Sequence, residues 1–224
     1  MNKQGFFITG TDTNVGKTWV TIALMRHFQR LGKSVVGMKP VAAGCQKQAE
    51  IWKNEDALLM QRYASITVAY ELVNPYAYPM PVSPHLAGCE NPVEMQVVLD
   101  RFRHLQALAD LVVVEGAGGW LAPINEHQDI SDLARQLGLP VIIVVGIKLG
   151  CLNHAKLTYR AIYDSGLNCA GWIANCIDPT MLMTQENIDT LKQAIAAPLL
   201  GVLPYTTHAD FEYLADYIDM ANLL

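Results

Sequence analysis

Six short apolar runs, largely β-branched, alternate along the chain with helical patterns, and this alternation limits the possible folds more than any other feature. The runs are Gly5–Thr9, Ser34–Met38, Leu111–Val114, Val141–Val145, Ala170–Ala174 and Leu199–Leu203. Most are apolar at successive positions instead of every second one, the pattern of strands covered on both faces. Between them lie helical stripes. Val20, Ala23, Leu24, Phe28 and Leu31 fall on one helix face, with Gly32 as a natural stop. Asn91-Pro92-Val93-Glu94 reads as a helix start with Pro in the first turn, continued by Met95, Val98, Leu99, Phe102 and Leu105. The alternation predicts βαβ units and an α/β fold, a mostly parallel sheet of about six strands flanked by helices. Such sheets bind ligands at the carboxyl ends of their strands. Segment 40–92, with little β signal and with Pro75, Pro79, Pro81 and Pro84, is expected to shape a pocket or an interface.

With 224 residues, 51% of them hydrophobic, the chain suits one compact domain, 1–224, around a large core. The net charge of -5 and the scattered Lys and Arg argue against a nucleic-acid surface, which needs clustered cations. The longest oily stretch, Leu139 to Ile147, falls short of the ~20 residues that span a bilayer, and the N-terminal run breaks too early for a signal peptide. No membrane partner is expected. Five cysteines without a C-x-x-C pair fit reduced thiols in a cytoplasmic protein.

The loop after the first run, Gly10-Thr11-Asp12-Thr13-Asn14-Val15-Gly16-Lys17-Thr18, leads straight into a helix. Strand, loop and helix in that order make a phosphate cradle: backbone N–H groups face the anion, Lys17 neutralises the outer phosphates, and the Thr18 hydroxyl holds Mg²⁺. The strict G-x-x-x-x-G-K-[ST] spacing is not met, since Gly10 stands one place too early; the alternative is a Gly-Lys-Thr helix start with no ligand. Glu115, placed at the end of the third run and followed by Gly116-Ala117-Gly118-Gly119, sits where a metal-side carboxylate belongs. Its alternative is a solvated strand-end acid. Spacing alone leaves Asp56 open, as a second carboxylate or an exposed helix-start residue. Lys39 after the second run points to the ligand edge, where it would neutralise a transferred phosphoryl group; the alternative is a surface lysine. These residues suggest phosphoryl transfer by positioning and charge. No Ser-His-Asp or Cys-His set is evident, and His27 and His104 lie inside helical stripes.

A longer ordered set carries a specific resemblance. It comprises the loop above, Lys39-Pro40-Val41-Ala42, Asn74-Pro75-Tyr76, Ser83-Pro84-His85 and Glu115-Gly116-Ala117-Gly118-Gly119-Trp120. It continues through Val145-Gly146-Ile147-Lys148-Leu149-Gly150-Cys151, Asn153-His154, Gly171-Trp172-Ile173-Ala174-Asn175 and Pro198-Leu199-Leu200-Gly201. The chain resembles the dethiobiotin synthetases nearly end to end. That resemblance implies a homodimeric P-loop fold that joins 7,8-diaminopelargonic acid and CO₂ at the expense of ATP, through a carbamate and its mixed anhydride with phosphate. It implies catalytic roles for Lys17 and Lys39, and Mg²⁺ held by Thr18, Asp56 and Glu115. Nucleotide contacts would come from Thr13, Asn14, Val15, Gly16, Lys17, Thr18 and Trp19, from Asp56, and from Glu115, Gly116, Ala117 and Gly118. Asn175, Cys176, Pro204, Tyr205 and Thr206 would take the adenine side. Substrate contacts would come from Thr11 and Ala43, and from Gly150, Cys151, Leu152 and Asn153, a helix start that serves the partner subunit's pocket.

The chain departs from the family pattern at three places. Asn14 stands where Glu is frequent, Ala43 replaces a Ser in the K-P-V-x-S-G stretch, and Cys176 stands where Asp is frequent. None removes a phosphate or metal ligand. A ParA- or MinD-like ATPase is a rival reading, but such proteins carry a second lysine near the start of the loop, and the matching residue here is Asp12. An amidation module like that of cobyrinic acid synthases is another; those chains append a glutaminase domain.

Overall fold

The computed structural model describes residues 5–221. In chain order the elements are β1 (Gly5–Gly10), α1 (Lys17–Arg30), β2 (Val35–Met38), β3 (Val41–Ala42), β4 (Gln46–Gln48), β5 (Ile51–Lys53), α2 (Glu55–Tyr63), α3 (Tyr70–Val73), β6 (Tyr76–Ala77) and α4 (Pro84–Ala87). There follow α5 (Met95–Leu108), β7 (Leu111–Gly119), α6 (Ile130–Leu137), β8 (Val141–Ile147), α7 (Cys151–Asp164), β9 (Cys169–Cys176), α8 (Thr184–Ala194), β10 (Leu199–Leu203) and α9 (Phe211–Ala215).

Six strands form one sheet in the order β10-β9-β8-β1-β7-β2, and every pairing in it is parallel. All six expected runs lie in it. The run-on apolar pattern has the anticipated cause, because successive residues alternate between two covered faces. Phe7, Val114 and Ile143 pack into one core, while Phe6, Ile8, Val113 and Ile142 pack into the other with Val20, Ile22 and Leu24 of α1. Truncating the fully buried Phe7 to Ala would cost about 3–5 kcal/mol in lost burial and cavity.

Four expectations are corrected. Helix α1 stops at Arg30, so Leu31 is its C-cap and is 53% exposed instead of continuing the apolar face. Gly32 takes φ 79° just beyond, and the N–H groups of Gly32 and Lys33 return to the carbonyls of Gln29 and Phe28, a Schellman ending that only a residue tolerant of positive φ accepts. Pro92 is not in a first helical turn: Glu94 is extended and is the N-cap of α5, its N–H tied to the Tyr76 hydroxyl at 2.9 Å. Leu99 on that helix is only half-buried. Finally, β7 runs on to Gly119, so Glu115 lies within the strand and not at its end.

Segment 40–92 holds more structure than its composition suggests. It contains a parallel β3–β6 pair, an antiparallel β4–β5 hairpin and the helices α2, α3 and α4. The β1–β7 register also breaks at the ligand edge. Ile8 pairs with Glu115 and Gly10 with Gly119, so two steps of β1 span four of β7, and the glycine run opens there.

Candidate active site

The loop from the end of β1 to the start of α1 closes around two left-handed residues, Asn14 at φ 59° and Gly16 at φ 82°. Gly16 is required for space as well as for φ, because a Cβ there would collide with the side-chain amide of Asn175. That amide donates to the Val15 carbonyl at 2.9 Å, so the end of β9 props the loop from below. Lys17 is buried and its ammonium donates to the Asp12 carbonyl at 2.9 Å. Burial pulls its pKa down to about 8, against the pull of Glu115 in the other direction. Asp12 in turn meets Lys148 of the β8–α7 loop at 3.3 Å.

Behind the loop lies a buried charge cluster. Lys39 Nζ sits 2.6 Å from Asp56 Oδ2 and 2.7 Å from Glu115 Oε1. Glu115, wholly buried, also accepts hydrogen bonds from the hydroxyls of Thr18 on Oε1 and Thr21 on Oε2, each at 3.0 Å. Burial pushes the Lys39 pKa down; the two carboxylates override it and hold the ammonium above the ordinary lysine value. Both bland alternatives fall here: Lys39 is no surface lysine, and Glu115 is no solvated strand-end acid. Asp56 enters through α2, whose first turn is set by Asn54, its side chain accepting the Ala57 N–H at 3.3 Å.

A cavity of about 890 Å³ opens over this cluster, at the carboxyl ends of the strands. Of the expected residues, Thr13, Asn14, Gly16, Lys17, Thr18, Trp19, Lys39, Ala43, Asp56, Glu115, Ala117 and Gly118 line it. Segment 40–92 completes the wall with Ala42, Asn54, Pro81, Val82, Ser83 and Pro84. A smaller recess of about 200 Å³ shares Asn14, Gly16 and Trp19 and is bounded by Asn175, Cys176, Pro204, Tyr205 and Thr206. Other expected residues lie elsewhere. Val15 is fully buried beneath the loop, Gly116 faces Phe7 and Ile130 in the core, and the Thr11 N–H is bound to the Val144 carbonyl. Gly150, Cys151, Leu152 and Asn153 begin α7 beyond either cavity of their own chain, next to Leu149, which is 95% exposed.

Sequence reasoning missed Thr21, although its place one helical turn after Thr18 was a usable signal. It also missed Asn54 and gave no role to Ser83, although Ser83-Pro84-His85 belongs to the resemblance; both reach the cavity only when segment 40–92 folds against the strand ends. Among the described residues no group of three His, Cys, Asp or Glu side chains gathers as a metal cage. Oxygens of Asp56 and Glu115 do converge on one cation, the Lys39 ammonium, with the Thr18 hydroxyl bound to the same Glu115 oxygen; a magnesium site completed by phosphate oxygens would use such a set.

A phosphate loop at the first β–α turn, with a buried lysine and carboxylates behind it, defines a P-loop protein that handles a nucleoside triphosphate. Solved structures share this fold: MinD of Aquifex aeolicus superposes with a TM-score of 0.55 at 15% identity, covering 97% of this chain and 88% of that one. FtsY of Thermotoga maritima gives 0.54 at 18%, covering 95% and 68%. A family model described as an AAA domain matches residues 4–212. The chain is 49% identical over 209 residues to the ATP-dependent dethiobiotin synthetase BioD of Aromatoleum aromaticum, covering 92% of this chain and 93% of that one. It is 46% identical over 222 residues to the protein of that name from Nitrosospira multiformis, covering 98% and 96%. The chain belongs to the dethiobiotin synthetase family.

Proposed function

We infer that this chain catalyses the ATP-dependent joining of 7,8-diaminopelargonic acid and CO₂ to give dethiobiotin, ADP and phosphate. One amine of the substrate captures CO₂ as a carbamate. A carbamate oxygen is a poor leaving group, so the carbon resists attack until ATP phosphorylates that oxygen. The second amine then closes the ureido ring and phosphate departs. The observation that carries this reading is the Lys39 ammonium, locked between Asp56 and Glu115 directly behind the phosphate loop. A cation fixed there needs no reorganisation as charge spreads over the transferred phosphoryl group. Lys17, freed from the Asp12 carbonyl, would reach the outer phosphates, and the recess beside Asn175 and Tyr205 would hold the adenine.

Mg²⁺, held by Thr18, Asp56 and Glu115 together with phosphate oxygens, would supply further charge neutralisation. The helix start at Gly150, Cys151, Leu152 and Asn153 lies outside its own chain's cavities, which supports a homodimer in which each turn completes the partner's site, its N–H groups donating to the substrate carboxylate. Residues 1–224 are read as one domain. The five free thiols fit the reducing cytoplasm, and no helix among the described residues is long and apolar enough to cross a membrane.

Incubation with diaminopelargonate, bicarbonate and Mg-ATP tests the reading. A cyclic urea seen by mass spectrometry, with ADP formed in equal amount, is expected. ATP hydrolysed without any ring product would end it.

A further inference from the structure

The reaction inferred above must dispose of two N–H protons, one when the first amine captures CO₂ and one when the second closes the ring. The acceptors at the charged end of the cavity are largely committed to holding the Lys39 ammonium. Lys39 is held protonated; Asp56 is bound to Lys39, and Glu115 is bound to Lys39, Thr18 and Thr21. The apolar wall from segment 40–92 offers a different group. Among Ala42, Ala43, Pro81, Val82, Ser83 and Pro84, only Ser83 carries a side-chain hydrogen-bonding atom.

Its hydroxyl is engaged in an unusual way. Ser83 is the N-cap of α4, where a serine normally accepts a backbone N–H of the first turn, yet its side chain makes no such bond. Instead Ser83 Oγ lies 3.0 Å from Nδ1 of His85. No histidine lines the cavity, so His85 reaches it only through that hydroxyl. With the ring proton on Nε2, Nδ1 accepts from Ser83 O–H, and the serine oxygen's lone pairs carry no other hydrogen bond.

We propose that Ser83 and His85 form the relay that removes the substrate's amine protons, an inference that rests on the function read above. As the amine nitrogen bonds to the carbon of CO₂, its N–H bond breaks. Ser83 Oγ takes that proton and passes its own to His85 Nδ1, giving an imidazolium that discharges to solvent before the second amine repeats the step at the phosphorylated carbon. Serine is the group touching substrate; His85 acts through it. The charged groups sharing the cavity with Ser83 are Lys17, Lys39, Asp56 and Glu115.

Steady-state kinetics of His85→Asn and Ser83→Ala test the relay, with thermal midpoints measured alongside. Loss of a proton-transfer group predicts kcat lower by about 10²-fold in each. KM values for ATP and the diamine should stay within about threefold, since uniform binding is untouched. Full kcat in either variant overturns the relay while leaving the overall reaction intact. A wild-type protein that makes no cyclic urea instead refutes the function beneath it. If His85→Asn fails to fold, Ser83→Ala, which deletes a single hydroxyl, decides the same question through its kcat.

Discussion

At its charged end the cavity is made mainly from central strands, with Asp56 added by α2, and along its other wall from the short elements of segment 40–92. The charged end places Lys39 and Glu115 beyond solvent, at β2 and β7, with each polar atom committed to a partner. The wall presents Ala, Pro and Val side chains from short elements and loops, Val82 among them exposed, with Met80 exposed nearby. A transferred phosphoryl group needs fixed charge in a dry place, which the rigid central strands supply. A flexible alkyl diamine needs apolar contact and a few polar handles, which loops supply. Substitutions at the charged end should therefore strike rate and stability together, and those of the wall's apolar residues should change substrate affinity, with Ser83, the relay hydroxyl, as the exception.

The largest break expected is Lys39→Ala. Turnover should fall about 10²–10³-fold with nucleotide affinity far less affected. The thermal midpoint should drop too, because Glu115 stays buried without its countercharge. Equal losses in turnover and nucleotide binding would remove Lys39 from its role. Glu115→Ala should shift a magnesium titration of activity about 10–100-fold; an unmoved midpoint would place the metal elsewhere.

Lys17 sharpens the contrast through pH. Its folded pKa of about 8 lies below the unfolded value of 10.5, so the folded protein gives up this proton first. Its burial penalty is therefore full below pH 8 and relieved as pH rises toward 10.5. Phosphate contact raises the pKa again, so ATP binding at about pH 8.5 should take up protons. Calorimetry in buffers of different ionisation enthalpy reads that uptake directly, and Lys17→Met should abolish it.

Thr21→Val should cost about 1–3 kcal/mol in denaturant unfolding by leaving Glu115 Oε2 without its donor. The smallest effect belongs to the wall. Ala43→Ser adds one hydroxyl to the lining, and the diamine KM should fall no more than about tenfold, one modest hydrogen bond, with kcat unchanged. A large kcat effect there would blur the division between the two ends.

The chain alone marked out the six-stranded parallel sheet, the phosphate loop, and Lys17, Thr18, Lys39 and Glu115, because strand burial and strand-end chemistry are written in local runs of residues. Helix ends were less legible: Leu31 carries an apolar side chain yet stands at a C-cap, where Gly32 and its returning N–H groups decide the boundary. The burial of Glu115 and its grip on Lys39 were not readable either. They depend on β2 and β7 being neighbours, and on α1 laying Thr18 and Thr21 against the same carboxylate. Segment 40–92 is the extreme case, with weak local preferences whose shape comes from contact with the strand ends. Periodicity and loop chemistry are properties of consecutive residues and so belong to the sequence. Which charges share one dry space, at what distance, follows from packing elements far apart in the chain, and only the tertiary structure decides it.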